Sequence, residues 1–217
     1  MLGCAAIAMW WDIPPPMQAE FEDWHSHEHM PERLGIPGFL RGTRWIALSG
    51  EPSYFVLYET SGLETLTGGA YLERLNDPTP WSRKMMPYHQ NMVRSLCRVR
   101  ASFGRGLGHA LATIRFSPSP GSADALADRL AAGDLAQLPQ RRGLTAAHLL
   151  EAQPMASGQT TEQKIRGQDA TAEWVLLVGG YDVGAVSQIV ADHGAALPGA
   201  EIGFYRASYC LTSSETK

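Results

Sequence analysis

Two apolar runs stand at matching places in this chain. Gly3–Trp11 leads into Pro14-Pro15-Pro16, and His109–Phe116 leads into Ser117-Pro118-Ser119-Pro120. Each run has the length of a single buried strand. Proline ends it, because proline cannot donate to a ladder and is well placed to open a helix. The elements downstream of each run come in the same order. After the first come a helix over Met17–Leu34, with Pro31 kinking or tightening its last turn, and strands Leu40–Leu48 and Tyr54–Glu59, which form a hairpin about Gly50-Glu51-Pro52. A helix capped by Ser61 then runs to about Leu75, Asp77-Pro78-Thr79-Pro80 breaks it, a short helix covers Trp81–Gln90, and Met92–Ala101 is a strand. After the second run the spacing predicts a helix over Ser122–Leu130, strands at Leu144–Glu151 and Glu173–Tyr181, a helix over Gly184–Asp192, and a last strand at Ile202–Leu211.

Strand, helix, strand, strand, helix, strand is the ferredoxin-like βαββαβ order. The expectation is an α+β chain of two tandem units, residues 1–103 and 108–217, joined at the glycine-rich Gly104–Gly108. The echoes extend to residues: Leu138-Pro139 stands where Ile36-Pro37 does, and Ser208-Tyr209-Cys210 where Ser95-Leu96-Cys97 does. Such a unit covers one sheet face with its own helices and must bury the other. Two units packed sheet to sheet within one chain form an intramolecular barrel with helices outside, and a site can then survive in one half alone. Further dimerisation through the helices is left open.

Chemistry concentrates in Phe21–Phe39, where His25, His27 and His29 place three of the seven histidines within five positions. Residues four apart on a helix share a face, which groups His25 with His29 and sets Glu28 and Glu32 on a neighbouring strip. Imidazole titrates near neutrality, so this pair suits proton transfer without a cofactor. A metal site needs more: His27-Glu28-His29-Met30-Pro31 puts proline where the zinc-protease motif has its second histidine, and no further ligand motif completes a set. No metal and no cofactor are expected. The competing reading is that the histidines pack against Trp24 and hydrogen-bond to backbone.

The pattern Trp24-His25-x-x-Glu28-His29-x-Pro31-Glu32-Arg33, then Ile36-Pro37-Gly38-Phe39, resembles the EthD-like branch of the dimeric α/β-barrel superfamily. Tyr71-Leu72-x-x-Leu75-Asn76-Asp77-Pro78-Thr79-Pro80-Trp81 is similar to the second-helix region of uncharacterised members. The resemblance covers about residues 20–100, and the second unit rests on topology alone. It implies a barrel fold and a pocket. It does not select among the cofactor-independent oxygenases, lactone isomerases and haem enzymes the superfamily contains.

The reading is therefore a small-molecule enzyme of oxygenase, isomerase or decarboxylase type, with His25, His29 and Glu28 as catalytic groups. Trp24, Arg44 and Tyr58 would bind an aromatic or polyketide-like substrate, the last two if their strand faces point into the barrel. The alternative is a non-catalytic binding or accessory protein using the same pocket. A net charge of −4 with no basic block argues against nucleic acid, and no apolar run is long enough to span a membrane. Cys4, Cys97 and Cys210 show no disulfide or metal spacing, which suggests a reducing, cytoplasmic setting with Cys97 and Cys210 in buried strands. Trp10, Trp11, Trp45 and Trp81 read as core, His89 as a surface residue, and the polar connection Gln153–Ala172 as either a lid or, the favoured reading, a mobile loop without a role. Gly104, Gly106 and Gly108 precede a strand rather than a helix, so they form no phosphate cradle.

Overall fold

The computed structural model describes residues 1–50, 52–154, 159–167, 169–193, 197 and 199–216. Its first half runs β1 (Ala5–Asp12), α1 (Gln18–Trp24), a π-turn (His25–His29), α2 (Met30–Leu34), β2 (Phe39–Ala47), β3 (Tyr54–Thr60), α3 (Leu63–Thr67), α4 (Gly69–Asn76), α5 (Pro80–Met85) and β4 (Gln90–Gly104). The second half runs β5 (Ala110–Phe116), α6 (Ala123–Ala132), α7 (Asp134–Gln137), β6 (Leu144–Ala152), α8 (Thr161–Arg166), β7 (Trp174–Gly180), α9 (Val183–His193) and β8 (Glu201–Thr212).

The eight strands close into one antiparallel barrel in the order β1-β3-β2-β8-β5-β7-β6-β4. In the first half the neighbours run β4-β1-β3-β2, and in the second β8-β5-β7-β6. The halves are stitched by two seams, β2 on β8 (Thr43 opposite Cys210) and β4 on β6 (Val99 opposite Leu150). A barrel of this strand number is just wide enough to be filled by side chains.

Side-chain alternation divides the apolar residues into layers. From β1, Ala6, Ala8 and Trp10 point inward and meet Trp45, Phe55, Leu111, Leu177 and Tyr205 in the barrel core. Ile7 and Trp11 of the same strand point outward, against Phe21, Trp24 and Met30 under the first helical layer. A separate outer cluster lies under α6 and α9, including Ile114, Leu176 and Val186. Strand β1 is thus covered on both faces, which is why it reads as an unbroken apolar run.

The structure refines several sequence-based boundaries. The helix expected over Met17–Leu34 is interrupted by the π-turn. The helix expected to start from Ser61 splits at Gly68 into α3 and α4, with Gly62 rather than Ser61 as the first cap. The one expected over Trp81–Gln90 ends at Met85, passes through the single turn Met86–Tyr88, and gives way to β4 at Gln90. All three cysteines are free; Cys97 is buried as expected, but Cys210 is exposed at the β2–β8 seam, where its Sγ accepts from Thr43 Oγ1 at 3.7 Å.

Candidate functional site

The π-turn sits where α1 and α2 cross the outer face of the first half. The N–H of Met30 donates to the carbonyl of His25, a five-residue step. Pro31 explains the widened turn: it has no N–H to close the α-type bond to His27. Turns of this kind are frequent at functional sites. Here the turn directs both His25 and His29 inward, and each is at least 93 % buried (1 % and 7 % exposed). Their rings lie 5.6 Å apart, and that of His29 lies 4.5 Å from Trp24. His27, on the other side of the turn, is exposed, and its Nδ1 lies 3.0 Å from the Asp23 carbonyl.

A cavity of about 30 Å³ lies between this turn and the barrel wall. At roughly 10–15 Å³ per water, it holds about two. His25, His29 and His89 line it together with Trp11 and Tyr58. The Tyr58 hydroxyl is 3.4 Å from His25 Nε2. His89 Nδ1 lies 3.3 Å from the Met85 carbonyl. A carbonyl can only accept, so Nδ1 carries the proton and Nε2 is the basic nitrogen. The Nδ1 atoms of His25 and His29 are buried without a hydrogen-bond partner. Such atoms are rare in folded proteins and call for a guest.

All three imidazoles are held neutral. Burial lowers His25 well below its usual range, helped by Arg44, His89 and Arg33. His29 is lowered likewise by burial, then by Arg33, His25, His89 and Arg166. Burial and Arg166 bring His89 to about 3 despite the Met85 and Met86 carbonyls. Burial also raises the Tyr58 phenol, so it is protonated at neutral pH.

The cavity also has a cationic lining. Arg33, Arg94 and Arg166 all line the cavity. Arg33 is 2 % exposed and pairs with Glu162, which is 3 % exposed. Its other partner is Glu32, at 3.1 Å. Burial would lower the Arg33 guanidinium, but Glu162, Tyr71 and Glu32 outweigh it and hold the group above its ordinary value. Arg94 donates to the Tyr71 hydroxyl at 3.0 Å, and Arg166 pairs with Asp169 at 2.6 Å.

The cavity is therefore outside the barrel, in the layer between barrel and helices, and the condition set for Arg44 and Tyr58, that their strand faces point into the barrel, is not met. Both point outward. Tyr58 reaches the cavity, whereas Arg44 stands beside it, donating to Ser208 Oγ (3.1 Å) and the Glu22 carbonyl (3.1 Å). Glu28 meets neither imidazole. Its carboxylate accepts from Thr79 Oγ1 (2.5 Å), Trp24 Nε1 (3.2 Å) and Ser82 Oγ (3.5 Å), tying the π-turn to α5.

His89 is buried and not a surface residue, and the connection Gln153–Ala172 is not without a role, since its helix α8 covers the cavity. Sequence spacing gives His89 no signal. Arg94 does carry one, since it alternates with Met92 and Leu96 on the apolar outward face of β4. For α8 the signal is Thr160-x-x-Gln163, which forms a reciprocal capping box. Among the described residues no group of three or more His, Cys, Asp or Glu side chains is arranged to hold a metal ion.

No protein-family model matches this sequence, and no curated protein matches it significantly. Solved structures do share the fold. An anthrone oxidase-like protein superposes with a TM-score of 0.66 at 12% identity, covering 98% of this chain and 94% of that one. A provisionally assigned monooxygenase from Lactobacillus acidophilus gives 0.61 at 7% identity, covering 97% of each chain. A haem-binding protein from Thermus thermophilus gives 0.51 at 11% identity, over 98% of this chain and 93% of that one. At these identities the likeness is one of fold, which in this chain is an α+β arrangement whose sheet closes into an eight-stranded antiparallel barrel.

Proposed function

We propose that this chain is a cofactor-independent enzyme that moves a proton on a small aromatic or polyketide-like molecule bound beside the π-turn, within an oxygenation, isomerisation or decarboxylation. The observation that carries this reading is the pair of buried, neutral imidazoles, His25 and His29, each lining a cavity with an unpartnered Nδ1. A neutral buried imidazole is available as a base at any physiological pH, but it is a weak one. It can take a proton only if the substrate C–H or O–H is already acidified by a carbonyl or an aromatic ring, and if the resulting anion is stabilised as it forms. The guanidiniums of Arg33 and Arg94 supply that stabilisation across the cavity. Transfer then turns two neutral groups into an ion pair, which a dry site tolerates far better than a lone charge. The fold shared with an anthrone oxidase-like protein supports an anthrone-type substrate, whose benzylic ring C–H is acidified by conjugation to the carbonyl.

Two parts of the reading rest on the sequence as well. The strand orders β4-β1-β3-β2 and β8-β5-β7-β6 support two tandem βαββαβ units, residues 1–103 and 108–217. The motif around Trp24–Arg33 supports placement in the EthD-like branch, and three of its side chains, His25, His29 and Arg33, line this cavity. The alternative, a binding protein without catalysis, is favoured by one observation: the cavity as it stands holds little more than water.

The test is oxygen consumption and product formation with anthrone-type substrates, for the wild type and for His25→Gln and His29→Gln. Loss of one acid–base group should lower kcat by about 10²–10⁴-fold with little change in melting temperature. If both folded variants keep wild-type turnover, the assignment fails. Saturable binding without turnover by the wild type would establish the non-catalytic alternative.

A further inference from the structure

The ion pair between Arg33 and Glu162 joins the two halves of the chain across the candidate site, 129 positions apart in sequence. Both partners are buried. Glu162 belongs to α8, a six-residue helix in the β6–β7 connection, so the second half reaches over and closes a cavity built by the first. Its neighbour Ile165 packs on the first half's apolar cluster, and the Thr161 N–H donates to Asn76 Oδ1 at 3.1 Å. Arg166 Nη1 also reaches Met86 Sδ at 3.9 Å, and beyond the helix Ala170 bridges to β4, its N–H donating to the Met92 carbonyl (2.9 Å) and its carbonyl accepting from the Arg94 N–H (2.8 Å). The helix ends at Gly167, whose φ of +103° no other residue type adopts easily.

A carboxylate is an odd choice for a latch of this kind. Taking two charges out of water costs more than an apolar contact such as that of Ile165. The arrangement makes sense if the carboxylate stands in for something. It caps the most buried of the three guanidiniums around the cavity, while Arg94 and Arg166 are engaged by Tyr71 and Asp169. We infer that Glu162 is an internal placeholder: the site takes an organic anion whose carboxylate or phenolate replaces Glu162 on Arg33, and α8 withdraws as it binds. This deepens the proposed function by fixing the substrate class, and it rests on the same cavity being the site. It also accounts for the small volume, since the occupant's acidic group and the side chains of α8 share one space.

The tethered carboxylate competes as a ligand at an effective concentration of millimolar or more, so removing it should tighten anion binding by about tenfold or more. The probes are salicylate and its neutral amide, salicylamide, measured by calorimetry on the full chain. Glu162→Gln should bind salicylate about tenfold more tightly than wild type and leave salicylamide unchanged. In the wild type, salicylate should increase amide hydrogen exchange across Thr161–Arg166. Arg33→Gln combined with Glu162→Gln removes both charges and should lose the preference for the acid; it also serves if the single variant folds poorly. Equal salicylate affinity in wild type and Glu162→Gln, or equal gain for the amide, overturns the inference. These readouts involve no turnover. Anion exchange in a protein that catalyses nothing would refute the enzymatic reading alone, and turnover of neutral substrates with no effect of Glu162→Gln would refute this one alone.

Discussion

Tyr58 reaches His25 because the residue opposite it in the β2–β3 ladder is Gly42. A Cβ on Gly42 would stand 2.9 Å from the Tyr58 ring and 3.0 Å from Met30 Sδ, so any side chain there would push the phenol off its line. The imidazoles near it set the protein's response to acid. Each of the three buried histidines has its folded-state pKa below the ordinary 6.5. The unfolded chain therefore binds protons first as pH falls. Their cost is absent above about 6.5, grows below it, and for His89 continues to about 3. Each imidazole contributes a loss of about 1.4 kcal/mol per pH unit within its window. Melting temperature should thus fall steeply between pH 6.5 and 5, and less steeply in a folded variant with His25, His29 and His89 all replaced by glutamine. Equal slopes would show that the histidines are not buried neutral. The sequence announced the His25/His29 pair through its four-residue spacing, but nothing local marked His89, whose place depends on β4 folding back beneath α1.

The elements that frame the site are short, and polar contacts fix their angles. Glu28 gathers Trp24, Thr79 and Ser82, and Thr79 also caps α5 by accepting from the Ser82 N–H at 3.0 Å. Its carboxylate is a joint between the π-turn and α5. Replacing Glu28 with alanine should cost about 1–3 kcal/mol, because Trp24 Nε1 and the Thr79 and Ser82 hydroxyls all donate to its Oε1 and would lose that acceptor. Denaturant titration would measure that loss. Turnover in the folded fraction should be unchanged, and a fall in kcat of about 100-fold or more would instead return Glu28 to the catalytic group. At this scale the sequence was readable in part. Apolar alternation located the strands, and Pro31 signalled an irregular turn. The direction in which Arg44 and Tyr58 point depends on which face of each strand the barrel encloses. Pairing register across both hairpins and both seams decides that, and one strand's pattern does not reveal it. Helix α8 was legible in the Thr160…Gln163 box, but its docking on the other half is a long-range contact with no local trace.

Neither half closes its own surface. The barrel core draws Trp10, Trp45 and Phe55 from the first half and Leu111, Leu177 and Tyr205 from the second. Those side chains are between 0% and 6% exposed in the whole chain. Cutting the chain after Gly106, a glycine with φ +76° and no close neighbours, should leave both halves with an apolar sheet face and unpaired edges at β2 and β4 or β6 and β8. A face carrying two tryptophans and a phenylalanine is large enough to drive association. Residues 1–106 alone should therefore run as a dimer or larger species in light scattering and should lack the α8 cover, leaving Arg33 without Glu162. Co-expression with residues 107–217 should restore a one-to-one complex that unfolds cooperatively, because both seams and the α8 contact can form again between separate chains. A monomeric, cooperatively folded 1–106 fragment would mean that the sheet face finds cover within its own half, and the argument that burial of that face holds the two halves together would fail.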